Sequence, residues 1–229
     1  MNNNEKNTQM TMEEKLNAVR AGVLGSNDGI LTVVGVIFSV GAATTNQFTI
    51  MVAAVADLFA CALSMASGEY ASVSAQSDSE KVVVAREKDR LAQNPDAVAN
   101  DISQFFVNRG VTKQTAAAIA TDLMQKAPLE TILQCKYNIK LGHYVSPVEA
   151  AFSSLFSAAA GGVFPLVAMW LSPLPLKYPM TILATVVAVG LTGWLSARLG
   201  HGLPGRAIIR NIVLGLITIA IHFGIGTFF

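Results

Sequence analysis

Residues 21–43 read AGVLGSNDGILTVVGVIFSVGAA, and after a short polar break residues 48–73 read FTIMVAAVADLFACALSMASGEYASV. Each run is long enough to cross ~30 Å of hydrocarbon, which takes ~20 apolar residues in a helix. Yet each carries acids: Asp28 in the first, Asp57 and Glu69 in the second. A charged side chain at bilayer depth costs roughly 2.5–3.5 kcal/mol on insertion scales, so it is seldom retained without a use. These carboxylates are the first candidates for function.

Three more apolar runs follow, giving expected spans at 20–43, 48–73, 147–171, 178–198 and 206–228. The composition agrees: 52% of the 229 residues are hydrophobic and 14% are charged, against about 25% charged in soluble domains. The fold expected is an all-α integral membrane protein of five transmembrane helices, with a small cytosolic helical domain between helices two and three. Residues 1–19 form a polar cytosolic tail, 20–73 the first two transmembrane helices, 74–146 the cytosolic domain, and 147–229 the last three transmembrane helices.

Inside the 74–146 segment the punctuation is that of short helices. SDSEKVVVAREKDRLAQN prolongs the second span, and Pro95 opens a helix whose apolar face holds Ile102, Phe105 and Phe106 and which stops at Gly110. Thr112 caps the next helix, and Pro128 divides it from a last piece, LETILQCKYNIKLG. Thr11 with Glu14, and Ser146 with Pro147 and Glu149, read as capping boxes ahead of the first and third spans. Pro165 is expected to kink the third span.

Several function classes are set aside. The net charge is +1 and the basic residues are scattered, so nothing points to nucleic acid. Two cysteines make no disulfide framework, and the N-terminus lacks the pattern of a cleavable signal. Ser64 and Ser67 lie near Glu69, but no histidine or lysine stands at matching depth to activate them, so the chain does not read as an enzyme. Orientation follows from the basic residues, which concentrate in cytoplasmic loops. With the N-terminus inside, fifteen of the sixteen Lys and Arg fall on the cytosolic side and Lys177 alone outside; the C-terminus is then outside.

On the second span, Asp57, Cys61, Met65 and Glu69 recur every four residues, a slowly rotating stripe along one side of a helix. Asp28 can face it from the first span. Carboxylates compensate a desolvated divalent cation, while a thioether is a soft ligand that Mg²⁺ and Ca²⁺ do not favour. Fe²⁺ and Mn²⁺ suit that mixture as transported substrates, with no cofactor implied. A carboxylate in low dielectric without its cation is neutralised by a proton, which suggests exchange of metal against protons. Gly22, Gly25 and Gly29 allow close backbone approach, and a homodimer with the site near its interface is expected. His201 and His222 read as interfacial.

The runs SNDGILTVVGVIFSVGAA and ADLFACALSMASGEYASVSAQSDSE resemble the vacuolar iron transporter family, in a bacterial-type form, over nearly the whole chain. The resemblance implies a membrane-embedded dimer that moves cytosolic Fe²⁺ or Mn²⁺ outward in exchange for protons. It assigns the translocation site to Asp28, Asp57 and Met65, with Glu69 the next acid of the stripe; family members often have glutamate where Asp57 stands. It further implies a metal-collecting face on the cytosolic domain. Here that face is reduced: Glu80 and Glu87 are present, but Arg90 stands one turn beyond Glu87. Asp96 and Asp101 flank Val98, and the last piece offers Gln134, Cys135 and Asn138 without an acid. A weak site of Glu80, Glu87, Asp101 and Cys135 is the expectation. The resulting reading is a proton-coupled exporter in a bacterial plasma membrane, surrounded by lipid; the alternative is a transport-inactive membrane metal sensor or scaffold of the same fold.

Overall fold

The structure is a computed structural model that describes residues 12–142 and 146–228, with side chains described from residue 21. Thr11, proposed above as a cap, lies outside the described residues. Among the described residues, eight α-helices follow in order: α1 (Met12–Ala43), α2 (Gln47–Gln93), α3 (Pro95–Val107), α4 (Lys113–Lys126), α5 (Pro128–Tyr137), α6 (Pro147–Leu171), α7 (Lys177–Leu199) and α8 (Pro204–Gly226), with one 3₁₀ turn at Leu174–Leu176. No strand occurs among the described residues. Five of the helices are long and apolar enough to cross a membrane: α1 from Ala21, α2, α6, the stretch Leu174–Leu199 containing α7, and α8. The protein is an all-α integral membrane protein.

The chain divides into two units. One comprises residues 1–70 and 148–229, the other residues 71–147. Helix α2 passes from the first into the second without a break, because nothing between Tyr70 and Gln93 stops it: that stretch has no Pro and no Gly.

In the membrane unit the helices alternate in direction. Residues of α6 that face α1 rise in step with it: Ser154, Ser157 and Ala158 lie by Gly25, and Ala158 and Gly162 by Gly29. Residues of α8 rise in step too, His222 lying by Gly35 and Gly226 by Ser39. Helix α7 runs the other way, its Tyr178 donating to the Gly41 carbonyl at 3.2 Å while Ala188 and Val189 pack near Ile30. Helix α1 is thus the central element, and its Val33, Val34, Ile37 and Phe38 form a core with Ile50, Ala54, Leu58, Met169 and Ile219. Outward faces stay apolar: Phe48, Val52, Phe59 and Leu63 on α2, and Val213, Ile217 and Ile221 on α8, are all exposed, as hydrocarbon solvent requires. Helix α6 continues through Pro165, which is buried.

Lipid supplies no hydrophobic drive between helices, so backbone contact must hold them together. The α1–α6 crossing shows this. A Cβ at Gly161 would run into the Ser26 carbonyl oxygen, and one at Gly29 into that of Ala158. Gly161→Ala must therefore push the helices apart beside Asp28, and overpacking of this kind costs about 1–3 kcal/mol. We expect a lower unfolding temperature for the purified protein in detergent, whereas Gly68→Ala, where an added Cβ meets nothing within 4 Å and the helix gains a better former, does not lower it. Equal melting of the two variants would show that the crossing yields freely.

The second unit forms its own core from Val98, Ile102, Ala120 and Ile132, with Leu91, Phe106, Leu123, Met124 and Leu129 against it. Local signals define its helices. Asn94 accepts from the Ala97 amide at 3.0 Å to cap α3, Thr112 accepts from the Thr115 amide at 3.3 Å to cap α4, and Gly110 takes φ +91° in the turn between them. Phe105 is not part of the buried face; the Arg109 guanidinium lies over its ring, 3.5 Å from the centroid.

Candidate functional site

The α1 and α2 carboxylates come within electrostatic reach of one another inside the membrane unit. Cys61, one turn beyond Asp57, donates its S–H to Asp28 Oδ2 at 3.5 Å, and Asp28 and Asp57 lie within electrostatic reach of one another. Antiparallel neighbours make this possible: as α1 ascends from Asp28 to Thr32, α2 runs from Cys61 back to Asp57. Met65 follows one turn past Cys61, packed on the Cys61, Ala62 and Ala158 cluster. Glu69 is the next residue of the row, half-buried. The stripe read from the sequence is therefore an inward face of α2 at Asp57, Cys61 and Met65, with Asp28 against it. Among the described residues, no three His, Cys, Asp or Glu side chains close on a common point as a resident metal cage would.

Two groups at this site were not singled out by sequence. Thr32, one turn beyond Asp28, lies beside Asp57 and Cys61, but its Oγ1 and Asp57 Oδ2 are both buried without a hydrogen bond of proper geometry. The second group is His222. It is half-buried, its ring against Gly35, where an added Cβ would meet imidazole atoms at 2.8 Å, and it lies within electrostatic reach of Asp57. A threonine in a helix and a histidine near a chain end are unremarkable by pattern; Gly35, one glycine among β-branched residues seven positions from Asp28, is the one sequence signal of a seat there.

The inserted unit holds a second gathering of charge. Glu87 is 1% exposed, and its carboxylate accepts from Tyr137 Oη at 2.7 Å, Lys136 Nζ at 3.3 Å and Arg90 Nη1 at 3.3 Å. Arg90 Nη1 also donates to Asp101 Oδ2 at 2.6 Å, with Lys136 Nζ 3.6 Å from the same oxygen. Two acids from α2 and α3 are thus bound by a cation from α2 and another from α5. Arg90, Asp101, Cys135 and Lys136, with Gln104 and Phe105, line a cavity of about 510 Å³. Of the acids named from sequence, Glu87 and Asp101 come together with Cys135 nearby. Glu80 stands apart, accepting from Gln76 at 2.8 Å. Val98, between Asp96 and Asp101 in sequence, points into the core and is fully buried.

The electrostatics follow from these contacts. Burial pushes the Glu87 carboxyl up, but the hydrogen bonds from Tyr137 and Lys136 and the nearby positive charges outweigh it and hold it below the ordinary range. The Arg90 guanidinium does the same for Asp101. Burial pushes the Cys135 thiol up, keeping it protonated and a poor ligand. Because both carboxyls are depressed in the folded state, their stabilisation is complete above the ordinary values of 4.5 and 3.8 and is lost as the pH falls through the lower folded values. Hydrogen-exchange protection of residues 95–137, corrected for intrinsic rate, should stay level from about pH 8 to 5 and fall below about pH 4. Tyr137→Phe, which removes one charge-assisted hydrogen bond, should start that fall at higher pH; an unchanged onset would mean the bond does not hold Glu87.

The sequence profile of the VIT family matches residues 19–227. A vacuolar iron transporter of Acanthamoeba castellanii is 31% identical over 209 residues, covering 91% of this chain and 77% of its own. Vacuolar iron transporter homolog 4 of Arabidopsis thaliana is 26% identical, covering 96% of this chain and 89% of its own, and vacuolar iron transporter 1 of Eucalyptus grandis is 20% identical over 90% and 84%. The matched region takes in the five membrane helices, the paired acids of α1 and α2, and the inserted helical unit: the chain belongs to the VIT family.

Proposed function

We propose that the protein exports Fe²⁺, Mn²⁺ or both from the cytosol in exchange for protons and so limits the cytosolic load of these metals. The observation that carries this reading is the approach of Asp28 and Asp57 to within electrostatic reach inside the membrane unit, with Cys61 hydrogen-bonded to Asp28. Like charges within reach in a membrane interior repel one another, and a cation or a proton relieves that repulsion, so metal and protons become alternative occupants. Asp28, Asp57, Met65 and Glu69 are the residues we assign to the metal, Met65 giving preference for transition metals over Mg²⁺. We place the end bearing Lys177, which donates to Gln47 Oε1 at 2.8 Å, on the outer side. The N-terminus and the inserted unit are then cytosolic and the C-terminus external, in a bacterial plasma membrane, with the protein acting as a homodimer.

The second reading, a transport-inactive sensor or scaffold, is favoured by the ion pairing of the inserted unit. Arg90 and Lys136 already neutralise Glu87 and Asp101, so Glu80, Glu87, Asp101 and Cys135 are left with weak metal capture at most. The test that separates the two uses purified protein in proteoliposomes with an imposed pH gradient, following Fe²⁺ and Mn²⁺. Flux that rises with the gradient and vanishes when it is collapsed supports exchange. Absence of flux for both metals from folded protein would favour the sensor or scaffold.

A further inference from the structure

Four threonines inside the membrane helices satisfy their hydroxyls locally. Thr181, Thr185, Thr192 and Thr218 each donate to a carbonyl three or four residues back: to Lys177 at 2.7 Å, Thr181 at 2.8 Å, Val189 at 3.0 Å and Leu214 at 3.0 Å. That is the default for a hydroxyl in hydrocarbon, where no water is present to take its proton. Thr32 departs from it. Its buried Oγ1 makes no hydrogen bond of proper geometry and leaves the Asp28 carbonyl, four residues back in the same continuous helix, unused. The side chain lies instead beside the Asp57 carboxylate and the Cys61 thiol, where Asp57 Oδ2 is also buried and unpartnered.

Two such oxygens side by side, one a carboxylate and one a neutral hydroxyl, make part of a cation's coordination sphere. We propose that Thr32 is a specificity-determining residue of the transport site, its Oγ1 supplying a neutral oxygen donor to the divalent cation between Asp28 and Asp57. The inference rests on the reading of that acidic pair as the metal site. Mn²⁺ and Fe²⁺ prefer about six donors, more than two carboxylates and one thioether provide. A neutral donor raises the coordination number without adding charge, so the cation is held and can still leave. A third carboxylate there would bind more tightly and release more slowly. Once the cation has gone, the same O–H can donate to Asp57.

The test uses full-length protein in detergent and equilibrium binding of Mn²⁺. Thr32→Val keeps the shape and removes the oxygen; Thr32→Ser keeps the oxygen and removes the methyl. Weakening of Mn²⁺ binding by about tenfold is expected for Thr32→Val, on the scale of one lost polar contact to a charged partner, with Thr32→Ser within about twofold of wild type. A packing role gives the opposite order, Thr32→Ser impaired and Thr32→Val normal, and would overturn the proposal, as would wild-type binding by Thr32→Val. Should Thr32→Val fail to elute as folded protein, Thr32→Ala against Thr32→Ser decides by the same comparison. Asp28→Ala is measured alongside. Binding retained by that variant removes the acidic site itself; binding lost there but kept by Thr32→Val removes only the role given to Thr32.

Discussion

Asp28→Ala is expected to abolish metal flux in proteoliposomes, by on the order of 10²–10³-fold, while the protein still inserts and purifies as wild type does. The magnitude follows from the cost of leaving one desolvated charge without its partner, about 3–5 kcal/mol, at 1.4 kcal/mol per tenfold. The change removes the carboxylate that receives the Cys61 S–H bond and leaves the cation with Asp57 as its one carboxylate at that level. It does not touch the glycine contacts of α1, since Gly25 and Gly29 make those. Flux at the wild-type level in this variant would remove the acidic pair from the mechanism.

The second large effect lies in the inserted unit. Arg90→Glu sets a third carboxylate against Glu87 and Asp101, leaving Lys136 and Tyr137 to neutralise a 1%-exposed acid. Breaking a buried pair costs about 3–5 kcal/mol. Arg90 is 30% exposed and two partners of Glu87 remain, so the low end, about 3 kcal/mol, is the appropriate expectation. Hydrogen-exchange protection across α3 and α5 should drop by on the order of a hundredfold. Mn²⁺ should restore it in the variant, because three acids around the cavity now form an oxygen site that a divalent cation can neutralise. In wild type, where Arg90 and Lys136 fill that role, Mn²⁺ should change protection little. Metal-independent protection in Arg90→Glu would show that these acids do not share a site once the guanidinium is gone.

Val98 deserves no carboxylate in such an experiment. In sequence it sits between Asp96 and Asp101 and invites one; in the structure it is fully buried in the apolar core of α3, α4 and α5. The two positions differ because α3 turns Asp101 toward Arg90 and Val98 inward, a distinction that depends on where α4 and α5 pack. Phe105 makes the same point in reverse. Its apolar character groups it with Ile102 and Phe106, yet it lies at the cavity under Arg109.

What the residues settled unaided were properties decided within a few positions or by the solvent. Runs such as 21–43 and 48–73 can satisfy their backbone in hydrocarbon in one way, as helices. Pro95, Thr112, Pro128 and Pro147 break or cap helices through their own stereochemistry and hydrogen-bonding groups, so the helices of the inserted unit were legible too. The four-residue recurrence of Asp57, Cys61 and Met65 fixed a common face because helix geometry does so irrespective of neighbours. Tertiary structure alone decided what those faces meet. Tyr137 and Lys136 reach Glu87 across about fifty residues of chain, His222 comes to Gly35 from the last helix, and Thr32 is turned from its own backbone toward Asp57. Each of these contacts depends on the register at which two helices cross. In the membrane unit that register is set by backbone approach at residues such as Gly29 and Gly161, and in the inserted unit by its own apolar core; each is a sum over packed surfaces that no local pattern encodes.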